Sequence, residues 1–102
     1  MLSKVYSVRD KKTEMFNPPF YQATHGEAER SFHRLVNDPK TNINQFPEDY
    51  DLYYLGEFDD NKGQLISMDS PVHVVQALQL HTGTEAKARQ EQKVESTNGA
   101  DC

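Results

Sequence analysis

Six basic side chains in the first third of the chain are the best candidates for binding an anionic ligand. Lys11 and Lys12 lie in a polar turn, and Arg30 and Arg34 lie one turn apart in a predicted helix. Two like charges one helical turn apart lower the stability of a helix slightly, so the presence of both arginines would be explained if they bind a ligand. The residues that could form a phosphate-binding face are Lys4, Arg9, Lys11, Lys12, Arg30 and Arg34. Scattered, solvated charges are an equally good interpretation, because the net charge is -5 and dedicated DNA-binding domains are usually basic.

Aromatic side chains could provide a second kind of contact. A β-sheet can present rings on which single-stranded bases stack, and each base contributes about 1–3 kcal/mol. Most rings of a small domain without tryptophan must form its core, so we expect Phe32, Tyr50, Tyr54 and Phe58 inside. Tyr53, on the opposite face of its strand from Tyr54, is the best candidate for a stacking platform.

Acidic side chains dominate the second half of the predicted domain. Residues 1–40 carry seven bases and five acids, a charge of +2, whereas residues 41–81 carry one base and seven acids, a charge of -6. An acidic segment can dock on a basic protein surface, in the extreme by mimicking DNA. The side chains that we assign to such docking are Glu57, Asp59 and Asp60. A calcium site at the same turn is excluded by spacing, because the third carboxylate and the bidentate glutamate of an EF-hand loop are absent.

No combination of side chains forms a recognisable catalytic or metal-binding motif. The four histidines make no His-x-x-x-His or Glu-x-x-His pair, and the one cysteine, Cys102, has no partner for a disulfide. No serine or cysteine has a base placed to activate it as a nucleophile. We therefore expect a non-enzymatic protein with no metal, no cofactor and no small-molecule substrate.

The spacing of apolar residues predicts the strands that position these groups. Alternation favours one strand at residues 2–9 and another at residues 50–58. Turn residues at 59–63 then allow residues 64–68 to return antiparallel.

A helix between these strands is the clearest element. Pro18 and Pro19 require an extended connection, so the helix begins later, at the capping box from Thr24 to Glu27. Asp38 and Pro39 end it. Its apolar stripe consists of Ala28, Phe32, Leu35 and Val36.

Residues 71–80 allow two interpretations. Ser70 and Pro71 suit the N-cap and first position of a short helix that would continue through Gln79. Three valines within four residues favour a strand instead, so both interpretations stay open. Residues 82–102 contain one sizeable apolar residue, Val94, and we expect them to form a disordered polar tail.

Together these elements predict an α+β fold: a small antiparallel β-sheet in the order strand-helix-strand-strand, with one main helix packed on one face. Residues 1–81 form a single domain, followed by the disordered tail. The first 20 residues contain no uninterrupted apolar stretch, so we expect neither a signal peptide nor a membrane contact, and a cytoplasmic location.

Several segments resemble a known protein family. The opening KVYSVRD, the segment NPPFYQATHGEAERSFHRLVNDPK, the strand PEDYDLYYLGEFDD and the closing SMDSPV are similar to the small nonstructural protein of gokushovirus-type microviruses, which are single-stranded DNA phages. The most specific parts are Pro19–Phe20, Gly26–Ala28, Asn37–Pro39 and Leu55–Asp60. The resemblance implies a non-virion accessory protein in the host bacterial cytoplasm, described as DNA-binding and associated with genome replication or packaging. It brings no catalytic residues.

Two hypotheses follow. In the first, the protein binds single-stranded DNA through the six basic side chains and Tyr53. In the alternative, Glu57, Asp59 and Asp60 dock on a phage or host protein of replication or packaging. The first hypothesis requires the basic side chains to gather on one face, apart from the acidic hairpin.

Overall fold

A computed structural model describes residues 1–82, which form a small antiparallel half-barrel with a few helices. The antiparallel sheet is confirmed, and two short strands and two short helices are added to the predicted order. In chain order the elements are β1 (Leu2–Asp10), β2 (Met15–Phe16), β3 (Phe20–Gln22), α1 (His25–Val36), α2 (Asn42–Gln45), a 3₁₀ turn (Pro47–Asp49), β4 (Tyr50–Asp59), β5 (Gln64–Gln76) and α3 (Ala77–Leu80).

The sheet has the order β2-β1-β4-β5, and β3 also pairs with β1. β2 and β3 follow one another along the same side of β1, with Phe16 opposite Arg9 and Phe20 opposite Tyr6. The ladder is interrupted between them at Pro18–Pro19, because proline has no N–H to donate. The sequence predicted an extended connection here, but not its pairing with β1.

The helix α1 begins and ends where the sequence predicts. Thr24 is its N-cap, and the Thr24 hydroxyl oxygen accepts a hydrogen bond from the backbone N–H of Glu27 at 3.1 Å. Asn37 is its C-cap. Leu35 was expected on the buried stripe but is 40% exposed, because it lies about 60° of helix rotation from the centre of the buried side. The buried side chains of α1 are Ala28, Phe32 and Val36.

The core lies between α1 and one face of the sheet. Tyr6 from β1, Leu52 from β4 and Phe32 from α1 are fully buried and belong to one cluster. The Tyr6 ring packs against the rings of Phe20 and Tyr54, at centroid distances of 5.8 and 5.5 Å. Aromatic residues from three strands and one helix therefore supply much of the core, as expected for a small domain without tryptophan.

A β-bulge at Leu55 reverses the face on which the end of β4 presents its side chains. The β1 residues opposite Tyr54 and Gly56 are consecutive, so Leu55 is an extra residue on β4. Beyond such a bulge the alternation of side chains is shifted by one. The prediction that Phe58 lies in the core with Tyr54 was therefore wrong: Phe58 lies on the opposite face and is partly exposed.

Residues 71–76 form a strand, so the helical interpretation was wrong for them. β5 continues beside β4, with Val75 opposite Leu52. Pairing with β4 satisfies the backbone and places the β-branched valines in a strand, which they favour. Only the last four residues of the segment, which form α3, are helical.

Thr82, assigned to the tail, contacts the folded part of the chain. Its backbone N–H and its hydroxyl donate hydrogen bonds to Oδ1 of Asn37 at 2.7 and 2.8 Å. These contacts hold the end of the described chain against the C-cap of α1. The rest of the predicted disordered tail, residues 83–102, lies outside the described residues.

The close approach of β4 and β5 requires a glycine at position 56. Gly56 has a φ of +150°, and a Cβ there would lie 2.1 Å from the backbone oxygen of Ile66. We expect Gly56→Ala to lower the free energy of unfolding by about 2–4 kcal/mol, because the two strands must separate. Gly63→Ala is the control: its φ is +65° with no atom within 4 Å, so we expect a loss of about 1 kcal/mol. Equal losses in urea unfolding would contradict this explanation.

Tyr6 makes the folded state sensitive to alkaline pH. Burial, with a smaller contribution from Tyr54, raises the pKa of Tyr6 from 10.0 to about 12, and its hydroxyl lies 2.5 Å from Nδ1 of His25. The unfolded chain releases this proton near pH 10, so the stabilisation is complete below that pH and is lost as the pH rises to about 12. We expect the free energy of unfolding to fall in this window by at most about 1.4 kcal/mol per pH unit from this group.

The variant Tyr6→Phe tests this assignment. Without the phenol, the dependence of unfolding free energy on alkaline pH should become shallower, although the variant itself is less stable because a buried hydrogen bond is lost. Urea unfolding across the alkaline range measures both effects. An unchanged pH slope in Tyr6→Phe is incompatible with a titrating Tyr6.

Candidate nucleic-acid interface

The sheet face away from α1 carries a set of aromatic side chains, and we call it the open face. Side chains alternate along a strand, so Ser7 and Tyr53, which are opposite each other, point away from the core that holds Tyr6 and Tyr54. Strands β2, β3 and β5 add rings on the same side. The rings of the open face are Phe16, Tyr21, Tyr53, Phe58 and His73.

These five rings form two clusters. Tyr53 lies between Phe16 and His73, with centroid distances of 5.4 Å to each and interplanar angles of 68° and 84°. Tyr21 packs edge-on against Phe58, with centroids 5.7 Å apart. Phe16 and Tyr21 are 40% and 47% exposed, so both clusters are accessible to a ligand.

Small buried side chains lie between the two clusters. Val5 is opposite Gly56, and Ser7 is opposite Tyr53. The Ser7 hydroxyl is fully buried and donates a hydrogen bond to the carbonyl oxygen of Asn17 at 2.5 Å. Because this hydroxyl is buried and already has a partner, it is not available to a ligand.

Two of the predicted cations, Arg9 and Lys11, lie beside the open face. The guanidinium carbon of Arg9 is 6.0 Å from the centroid of the Phe16 ring. Lys11 Nζ is 3.4 Å from Oδ2 of Asp51, whose other oxygen is 3.0 Å from Nε2 of His73. Asp51 is only 4% exposed. Arg9 and Lys11 thus place two positive charges beside the rings, and the Asp51 carboxylate offsets one of them.

The other four predicted cations lie elsewhere. Lys4 is on the core side of β1, with Nζ 3.9 Å from Oε2 of Glu57. Lys12 borders a separate depression near α2. Arg30 and Arg34 are exposed on α1, on the side opposite its buried residues. The expectation that all six bases gather on one face was wrong, because β1, the following turn and α1 present them in different directions. The six-base interface that the first hypothesis required is therefore not formed.

The acidic residues assigned to protein docking have contacts within the chain. Oδ1 of Asp59 accepts hydrogen bonds from the backbone N–H groups of Asn61 and Lys62, at 2.9 and 3.3 Å. Oδ1 of Asp60 lies 2.7 Å from the terminal amino group of Met1, and this hydrogen bond raises the pKa of that amino group. Together with the pair of Glu57 and Lys4, these contacts give each carboxylate a structural role at the hairpin.

Sequence reasoning found only Tyr53 among the five rings of the open face. Phe16 and Tyr21 lie in strands of two and three residues, which are too short to show a period. Phe58 was placed on the wrong face because a bulge cannot be recognised from alternation alone. His73 was missed because its segment was open to a helical interpretation.

The chain matches a known family of phage proteins. Residues 3–80 match the family model described as phage ORF5 protein. Protein ORF5 of Chlamydia phage 1, a curated relative, is 31% identical over 71 residues, which are 66% of this chain and 74% of the relative. The chain therefore belongs to the phage ORF5 protein family. Because Chlamydia phage 1 is a gokushovirus-type microvirus, the resemblance to a small phage nonstructural protein is confirmed. No solved structure matches the chain.

Two kinds of site are absent from the part of the chain that the structure describes. Within residues 1–82, no helix is long and apolar enough to cross a membrane. In the same range, no group of three or more His, Cys, Asp or Glu side chains could hold a metal ion.

The buried carboxylate of Asp51 holds one side of the open face together. We expect Asp51→Asn to lower the free energy of unfolding by about 1–3 kcal/mol, because Lys11 and His73 lose a charged partner. Asp69→Asn is the matched control, since Asp69 is exposed on β5 and its change should stay within about 0.5 kcal/mol. If urea unfolding gives the two variants the same stability, Asp51 has no such role.

Proposed function

We propose that this phage accessory protein binds single-stranded DNA through the open face, in the cytoplasm of the infected bacterium, during genome replication or packaging. One observation carries the proposal: two accessible clusters of rings lie on a sheet face beside Arg9 and Lys11. Membership of the phage ORF5 protein family supports the setting in an infected bacterium.

The chemistry of the open face suits unpaired bases. Bases that are free of a duplex can stack on exposed rings such as Phe16 and Tyr21, whereas bases inside a duplex are already stacked on each other. Stacking on an aromatic ring contributes about 1–3 kcal/mol per base and depends little on sequence. The open face therefore favours single strands over duplexes and discriminates weakly among bases.

Phosphate contacts at this site are few. Arg9 and Lys11 lie at the edge of the larger ring cluster, where they can reach the sugar-phosphate backbone of a strand stacked on the rings. With about 0.7 released counterion per phosphate on a single strand, two contacts give a slope near -1.4 for log K against log salt. The net charge of -5 opposes binding, so the rings must supply most of the affinity.

Catalysis is not part of this proposal. The Ser7 hydroxyl and the Asp51 carboxylate on the open face are engaged in holding the sheet. Among the contacts that define this face, no nucleophilic side chain lies within hydrogen-bond distance of a base. Binding and presentation of a strand are the actions that the arrangement supports.

Fluorescence anisotropy of a short labelled oligothymidine tests the proposal. We expect Tyr53→Ala and Arg9→Ala each to weaken binding about 5- to 100-fold, because each removes a stacking surface or a phosphate contact. Tyr53→Phe should bind nearly as well as the parent chain, since it keeps the ring. The double variant Arg30→Ala with Arg34→Ala is the matched charge control, and its affinity should be unchanged because α1 faces away.

Two results would remove this function. One is the absence of binding at low salt by the folded parent chain. The other is a loss in the Arg30 and Arg34 double variant as large as the loss in Arg9→Ala, which would place the strand on α1. A different set of results would favour the protein-docking alternative. The parent chain would fail to bind DNA but would retain a phage or host protein, and it would no longer retain that protein once Asp59 and Asp60 are neutralised.

A further inference from the structure

The outer half of β5 is a sheet edge that carries apolar side chains. β5 is the last strand in the order β2-β1-β4-β5, so one side of its backbone has no neighbouring strand within residues 1–82. Leu65 and Ile66 point to opposite faces and are 66% and 48% exposed. An apolar strand edge of this kind is a template for pairing with another strand.

Only one part of this edge lacks the features that prevent pairing. Proteins protect strand edges with bulges, prolines and charged side chains. Residues 68–71 have all three. They have no paired residues on β4 and so form a bulge, and they include Asp69 and Pro71. Gln64–Ser67 has none of them: it is uncharged, contains no proline and pairs with β4 residue by residue.

We propose that Gln64–Ser67 pairs antiparallel with the same segment of a second copy of this chain. The flanking charges favour a second copy over an unrelated strand, because Lys62 precedes the segment and Asp69 follows it. Whether the two-fold pair is centred on Leu65 or on Ile66, the residue opposite Lys62 in the other copy is a direct sequence neighbour of Asp69. One sequence thus places opposite charges near each other at both ends of the interface.

The pairing continues the sheet from one copy into the other. The two-fold axis of an antiparallel pair is normal to the sheet, so both open faces lie on the same side. A single strand can then run across twice the number of rings. The interface is smaller than the roughly 1,200–2,000 Å² that stable complexes bury, so the dimer is weak and forms reversibly. The inference does not depend on the proposed function.

Sedimentation equilibrium of the full chain without DNA tests the pairing. We expect a reversible monomer-dimer equilibrium across micromolar to millimolar concentrations. Ile66→Lys places two like charges at or next to the two-fold axis and should weaken the dimer at least about tenfold. Leu35→Lys is the matched control, since Leu35 is a similarly exposed apolar residue on α1, and it should leave the equilibrium unchanged.

Charge reversal separates this interface from other modes of association. Lys62→Asp and Asp69→Lys should each weaken the dimer about threefold to tenfold, and the variant with both changes should recover it, because the ion pairs re-form with opposite sign. A monomer at every concentration, a dimer insensitive to Ile66→Lys, or no recovery in the double reversal would each overturn the proposal. None of these results tests DNA binding by the open face, because no DNA is present in the experiment.

Discussion

The β-bulge at Leu55 decides which aromatic rings are buried and which are available to a ligand. Before it, β4 presents Leu52 and Tyr54 to the core beneath α1. After it, the alternation is reversed, and Phe58 joins Tyr21 on the open face. Gly56, the residue after the bulge, lets β5 approach closely where any side chain would collide with its backbone. One extra residue thus moves Phe58 from the core side of β4 to the open face.

The elements that sequence reasoning predicted are those with local causes. The capping box at Thr24, the stop at Pro39 and the turn at residues 59–63 depend on neighbouring residues, and each was placed correctly. The errors lie in segments whose secondary structure depends on pairing with a strand that is distant in sequence. Residues 71–76 became strand because β4 was available, and β2 and β3 were missed because their only signature is their partner β1.

The candidate site was only partly predictable for the same reason. Tyr53 could be assigned to the open face because it alternates with Tyr54 before the bulge. Its neighbours Phe16 and His73 come from segments far away in sequence, which only the sheet brings together. The six positive side chains do not share one surface, since sequence proximity on a strand, a turn and a helix does not give spatial proximity. The fold presents clusters of rings with little charge instead of a cationic face.

Backbone amide chemical shifts of the labelled protein show most directly whether single-stranded DNA binds to the open face. On titration with a short oligothymidine, we expect the largest shift changes in β4 and along the β2-β3 side of β1, at Phe16, Tyr21, Tyr53 and Phe58. The amides of α1 around Arg30 and Arg34 should hardly change. Shift changes confined to α1 or to the turn after β4 would contradict the account, as would none at saturating oligonucleotide.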